Sequence, residues 1–321
     1  MTAAQGDIAP GGDVILIVGD DKKRLQVSST MLFATSSVFK ALLGPHFREG
    51  QQPRSAAMPV EVALPDDDFM ADAWLCALVH HKPAAELEEN RDVRHMLAFA
   101  IVVDKYDSIG ALRLQSRALM MRFTECKPSA DHSDVTMLEA LAAAYLLGDL
   151  RSFRKISANL IAHTTGQVGD LRKLKGAVPM LPDGVLFAME EKRDAARDVL
   201  VNQMMRIARC RYNKSLYDYY GFLSKLATKL GAPYWPPFVR GQDHTTLEYA
   251  VQVLRSFGDC VRSCGLCSSI DARRLSTISA GSLLDIANMV ASSCRGLCLQ
   301  CVLENEQDLT TKCKEHVQAY E

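Results

Sequence analysis

At 321 residues the chain is longer than a single hydrophobic core usually grows, so two or three domains are expected. Apolar residues make up 48% and charged residues 23%, ordinary values for a globular protein, and the formal net charge of −1 excludes a chain-wide electrostatic footprint for nucleic acid. No apolar run exceeds eight residues, too few to span a bilayer, so no membrane role is expected. Residues 1–12 lack both the basic start and the apolar core of an export signal and read as a disordered tail. Ten cysteines without such a signal point to an intracellular chain, nuclear or cytoplasmic, with reduced thiols or metal ligands rather than a disulfide framework.

Val14 to Val18 is a five-residue apolar run rich in β-branched residues, too short for a helix, and reads as a buried strand. Gly19 to Lys23 supplies turn residues, and Leu25 and Val27 alternate with polar neighbours as a second strand would. The hydroxyls of Ser28 and Ser29 are candidates to cap a helix beginning near Thr30. Ser36 or Ser37 can cap a second, carrying Val38, Phe39, Leu42 and Leu43 until Gly44-Pro45 ends it. Pro59 to Leu64 alternates polar and apolar residues as a third strand. Asp66, Asp67 and Asp68 then precede a helix through Trp74, Leu75, Leu78 and Val79, where the helix dipole favours negative charge. A divalent metal site is the competing reading, but an EF-hand needs spaced ligands, a mid-loop glycine and a distal glutamate. The segment from Arg91 to Asp107 is apolar on more than one face, so its helix belongs in a core.

Taken together, these residues resemble the BTB/POZ domain, in the form found in its fungal members. The likeness rests on Asp13-Val14 before the first strand, on Ser36 to Phe39 as the family's S-x-x-F step and on Phe47-Arg48-Glu49 as its F-x-E step. Leu64 to Asp68 and Ala100 to Tyr106, ending in Asp104-Lys105-Tyr106, extend it over residues 13–125. The family's apolar-His pair is Val27-Ser28 here. The resemblance implies a small sheet flanked by helices that homodimerises or recruits protein partners. Repressor-type members pair the aspartate matched by Asp13 with a basic residue after that histidine; Ser29 stands there, which leaves their charged pocket incomplete.

Lys127 to Ser133 is a polar break that ends this domain. Two amphipathic helices joined at Gly148-Asp149 should form an antiparallel hairpin. Leu181-Pro182-Asp183-Gly184 marks the start of a long helix to about Arg211, with Leu186, Met189, Ala196 and Leu200 inside and Glu190, Arg193, Asp194 and Arg197 on a solvated face. Pro233 to Pro237 cannot be regular helix, so the region 134–232 is followed by a Cys-rich helical segment, 238–321. The expected fold class is therefore α+β, a BTB/POZ-like domain followed by a mostly α-helical region.

Cys260, Cys264 and Cys267 have the spacing C-x3-C-x2-C, repeated by Cys294, Cys298 and Cys301 34 residues later; Cys313 and His316 follow. On a helix each trio would line one face. Cys264, Cys267, Cys298 and Cys301 form the two C-x2-C pairs and are the leading candidates to hold a structural zinc, with Cys260 and Cys294 as alternates. Buried structural thiols, a redox pair and an iron–sulfur triplet are the alternatives; the last two lack the expected βα context. There is no G-x-G-x-x-G, P-loop, H-E-x-x-H or G-x-S-x-G motif, and the adjacent pair His80-His81 reads as a helix end. The chain is thus read as non-enzymatic: a scaffold or adaptor that dimerises or recruits partners, a cullin-type ubiquitin ligase among them. A transcriptional regulator is the alternative and a thiol or iron–sulfur enzyme the remote one, with direct contact to nucleic acid not expected.

Overall fold

In a computed structural model of the chain, residues 8–89, 92–124, 134–164, 178–209, 228, 246–263, 280–304, 309 and 313 are described. The fold is α+β: one three-stranded sheet and, over most of the remaining described length, helices. The chain divides into two compact units, residues 1–125 with 138–152, and residues 126–137 with 153–321. The expected break at Pro233 to Pro237 lies outside the described residues.

In the first unit, β1 (Val14–Val18) is the central strand, antiparallel to β2 (Lys23–Val27) and parallel to β3 (Val60–Leu64), in the order β2-β1-β3. Val14, Leu16 and Val18 are wholly buried, as a central strand with an apolar run requires. An interface with another molecule therefore cannot draw on these three side chains. The backbone of Ala9 donates to Gln26, so the last residues before β1 lie along β2. Between β2 and β3 come α1 (Ser29–Thr35), α2 (Ser37–Leu42) and the short α3 (Arg48–Gln51). After β3 follow α4 (Phe69–Val79), α5 (Ala85–Glu89), α6 (Val93–Lys105) and α7 (Ile109–Met120). Helix α4 packs on α6, α7, α1 and β2. The apolar breadth of α6 has its reason in this position: Met96, Phe99, Ala100 and Val103 are all buried.

The serines near the first two helices differ in what they cap. Ser36 Oγ accepts from Phe39 N at 3.0 Å and donates to the carbonyl of Tyr106, so one hydroxyl joins the start of α2 to the end of α6. Ser28 stands at the N-cap of α1 but makes no side-chain cap, and the Ser29 hydroxyl turns to Asp13 instead.

Helix α8 (Asp134–Leu146) leads through Gly148, at φ +62°, into α9 (Leu150–His163), whose first turn is capped by Asp149. The hydroxyl of Thr164, just past α9, donates to Asp134 at the start of α8. The second unit also holds α10 (Asp183–Arg209), α11 (Leu247–Ser263), α12 (Ala280–Ser293) and α13 (Leu299–Leu303). Helix α12 packs on both α10 and α11. The charged side of α10 is not solvated: Glu190, Arg193 and Arg197 are buried, Arg193 to 1% exposure. Periodicity marks charge, not what covers it. Burial pulls the Arg193 pKa down and Arg197 adds to that, while Glu190, Asp194 and Asp134 oppose it and supply the compensating charge.

Candidate functional site

Two clusters of chemically capable side chains stand out, one in each unit. In the first unit, Asp67 turns away from the helix start it was expected to serve. Its carboxylate takes hydrogen bonds from Lys105 Nζ and the Tyr106 hydroxyl, and it is itself bonded to Asp72. Of the three aspartates only Asp68 caps α4, accepting from Ala71 N at 2.8 Å. Asp72 is 1% exposed. Burial, then the charge of Asp67, pushes its pKa to about 8, partly offset by Lys105, so Asp72 holds a proton at neutral pH. Burial and donation to Asp67 push the Tyr106 hydroxyl far above its usual range, and burial does the same to the Cys76 thiol. The Asp104-Lys105-Tyr106 step therefore works through its last two residues, whose polar groups meet Asp67 and lock the β3–α4 corner to the end of α6.

Near the β2–α1 junction, Asp13 accepts from both the backbone N–H and the hydroxyl of Ser29, at 2.8 and 2.6 Å. Arg54 Nε lies 3.6 Å from the same carboxylate, its guanidinium over the Phe33 ring. Burial would raise the Asp13 pKa; the Ser29 hydrogen bonds and Arg54 outweigh it and hold the carboxyl below its usual value. Asp13 thus has a cationic partner after all, supplied by Arg54 from the loop before β3 rather than by position 29.

A histidine reaches position 28 in a similar way. His80, at the C-cap of α4, accepts from Ser28 N through Nε2 at 2.9 Å, while its Nδ1 lies 2.7 Å from the Cys76 carbonyl. A carbonyl only accepts and an amide N–H only donates, so the ring is held neutral with its proton on Nδ1. Burial lowers the His80 pKa in the same direction. His80 is therefore more than a helix end, and its neighbour His81 takes a left-handed backbone at φ +57°. The sequence carried no signal for the Arg54 or His80 contacts, because each joins elements far apart in the chain.

In the second unit, Cys298, Cys301 and Cys313 come together, with their sulfur atoms all within 4.8 Å of one another. Cys298 is the N-cap of α13 and Cys301 lies within that helix, so the C-x2-C spacing turns both thiols to one side. Cys301 is buried, and Cys298 and Cys313 are partly exposed. Of the four cysteines named from the sequence, Cys298 and Cys301 are brought together, whereas Cys264 and Cys267 lie outside the described residues. Cys313, which in the sequence stands at a short spacing from His316, is the member outside the expected four. Cys294, Cys298 and Cys301 do not line one helix face, because α12 ends at Ser293 and the chain is non-helical until Leu299. Burial, then the charge of Glu248, pushes the Cys294 thiol up to about 12, which suits an inert core thiol.

The platform beneath this cluster is specific. Leu297 N donates to Ser157 Oγ of α9 at 2.9 Å, and Gly296 lies so close to α9 that an added Cβ would fall 1.7 Å from the Arg154 carbonyl oxygen. Only glycine permits that approach. Three thiols in this arrangement can hold a soft metal ion. No family model, curated protein or solved structure matches the chain.

Proposed function

We propose that the chain is a non-enzymatic adaptor or scaffold whose first unit engages a protein partner or a second copy of itself. The observation that carries this reading is Phe47. It heads α3 in the Phe-Arg-Glu step and remains 48% exposed, while α3 itself packs on β3. Met58, just before β3, is 66% exposed. Exposed aromatic and methionine side chains beside a sheet are the kind of anchor that dominates protein interfaces. The order of strands and helices from β1 to α7 supports the BTB/POZ-like reading, as does the commitment of Asp13, Asp67, Asp72 and His80 to internal contacts. Recruitment of a cullin-type ubiquitin ligase is the leading form of the proposal. Among the described residues no helix is long and apolar enough to cross a membrane.

One observation favours transcriptional regulation as a second reading: Arg54 places a cation beside Asp13. The full chain and its Phe47→Ala, Asp13→Asn and Arg54→Ala variants, compared by affinity purification with mass spectrometry, separate the two. A cullin recovered with the wild type and lost with the variant supports the adaptor; chromatin proteins that depend on Asp13 and Arg54 support regulation. Partner recovery indifferent to all three positions would remove the basis of both. Sedimentation equilibrium of the full chain tests self-association, and a monomer at micromolar concentration would exclude the homodimer.

A further inference from the structure

We propose that Cys298, Cys301 and Cys313 bind one zinc ion that fastens the chain at Cys313 to α13 within the second unit. The inference is independent of the adaptor reading. Zinc–sulfur bonds of about 2.3 Å in a tetrahedron place sulfurs about 3.8 Å apart. The three sulfurs already lie within 4.8 Å of one another, so closure onto a metal needs side-chain movements of about 1 Å. The donor set is all thiol, which selects zinc or another soft ion over calcium or magnesium.

The placement of each ligand has a separate cause. Cys298 and Cys301 are set by α13, and the approach to α13 is pinned on α9 by Gly296 and by the Leu297–Ser157 hydrogen bond. Cys313 comes from beyond α13. On the way, Leu309 lies against the first turn of α10, its Cδ1 3.9 Å from where a Cβ on Gly184 would stand. Partial exposure of Cys298 and Cys313 leaves a route for the ion to enter. Cys294 is the internal contrast, a buried thiol that lies outside the cluster.

On binding, each ligating thiol gives its proton to solvent and its sulfur lone pair to the metal, with no change in oxidation state. A fourth position remains for water or for another side chain.

The test uses the full chain purified under reducing conditions, dialysed against a weak chelator and measured for zinc by plasma mass spectrometry. About one zinc per chain is expected in the wild type and in Cys294→Ser. Cys298→Ser, Cys301→Ser and Cys313→Ser should each lower the zinc retained at least tenfold. Cys313→His should restore it, because imidazole can replace a thiolate as ligand whereas a packing role would not distinguish His from Ser in this way. Cobalt exchanged into the wild type should show a thiolate-to-metal charge-transfer band that Cys313→Ser weakens. Wild-type protein without zinc, or a Cys313→Ser variant that keeps it, would overturn the proposal, as would a Cys313→His variant as empty as the serine one. If a variant at Cys298 or Cys301 fails to fold, the two substitutions at Cys313 still decide the question.

Discussion

Replacing Phe39 with alanine should unfold or nearly unfold the first unit. Phe39 is 1% exposed and stacks on Tyr106, with ring centroids 4.2 Å apart and planes inclined by 8°. Truncating a buried phenylalanine costs about 3–5 kcal/mol, and a stacked aromatic pair adds about 0.5–1.5 kcal/mol beyond area burial. Domains are stable by only about 5–15 kcal/mol, so the loss is a large share of the total. Phe39→Leu keeps most of the volume but not the stack and should cost under about 2 kcal/mol. Trp74 on α4, 5% exposed, reports on this unit once Trp235 is replaced by phenylalanine. Urea unfolding followed by its fluorescence should shift to a lower midpoint by about 1 M or more in Phe39→Ala, given slopes of about 1–3 kcal/mol per molar. Ser36→Ala should couple with Phe39→Ala, since the Ser36 hydroxyl bonds both Phe39 N and the Tyr106 carbonyl. A midpoint unchanged in Phe39→Ala, or equal for the alanine and leucine variants, would refute the assignment of Phe39 to the core.

The raised Asp72 pKa makes stability fall as pH rises, since the unfolded carboxyl ionises near 4 while the folded one keeps its proton to about 8. Asp72→Asn should flatten that fall and raise the melting temperature at pH 8; an unchanged pH profile would count against the held proton. His80 has the opposite sign. Its lowered pKa means stability declines as pH drops below about 6.5, and nitrogen-15 spectra should show a neutral ring protonated at Nδ1; an imidazolium at that pH would contradict the paired contacts. Gly296→Ala should destabilise the second unit by more than about 1 kcal/mol, because the new methyl meets the Arg154 carbonyl. Thermal unfolding indistinguishable from wild type would show that the segment does not dock on α9.

What could be read from the sequence was what lies within one element. Val14 to Val18, the alternation of Leu25 and Val27, and the breadth of the helix around Phe99 each carry their own signal, and the structure has them as β1, β2 and α6. The misreadings concern neighbours. Glu190, Arg193 and Arg197 look solvated because their periodicity is that of an exposed face; nothing local reports the burial and the compensating charges that meet them. Arg54 beside Asp13 and His80 beside Ser28 are long-range pairings between residues of ordinary type. In the sequence Cys313 pairs with His316 rather than with Cys301, because eleven residues lie between the two cysteines and metal ligands are read over short spacings.

The sheet order has a consequence for synthesis. β1 finds its hairpin partner as soon as Val27 has been made, but its other edge is completed only by β3, which begins at Val60. At translation speeds of about 5–20 residues per second, that edge stays open for roughly 2–7 s after the hairpin can form. During this interval an apolar strand with unpaired backbone groups is offered to any neighbouring chain. The nascent protein therefore passes through an aggregation-prone interval early, before α4 and α6 exist to cover the sheet.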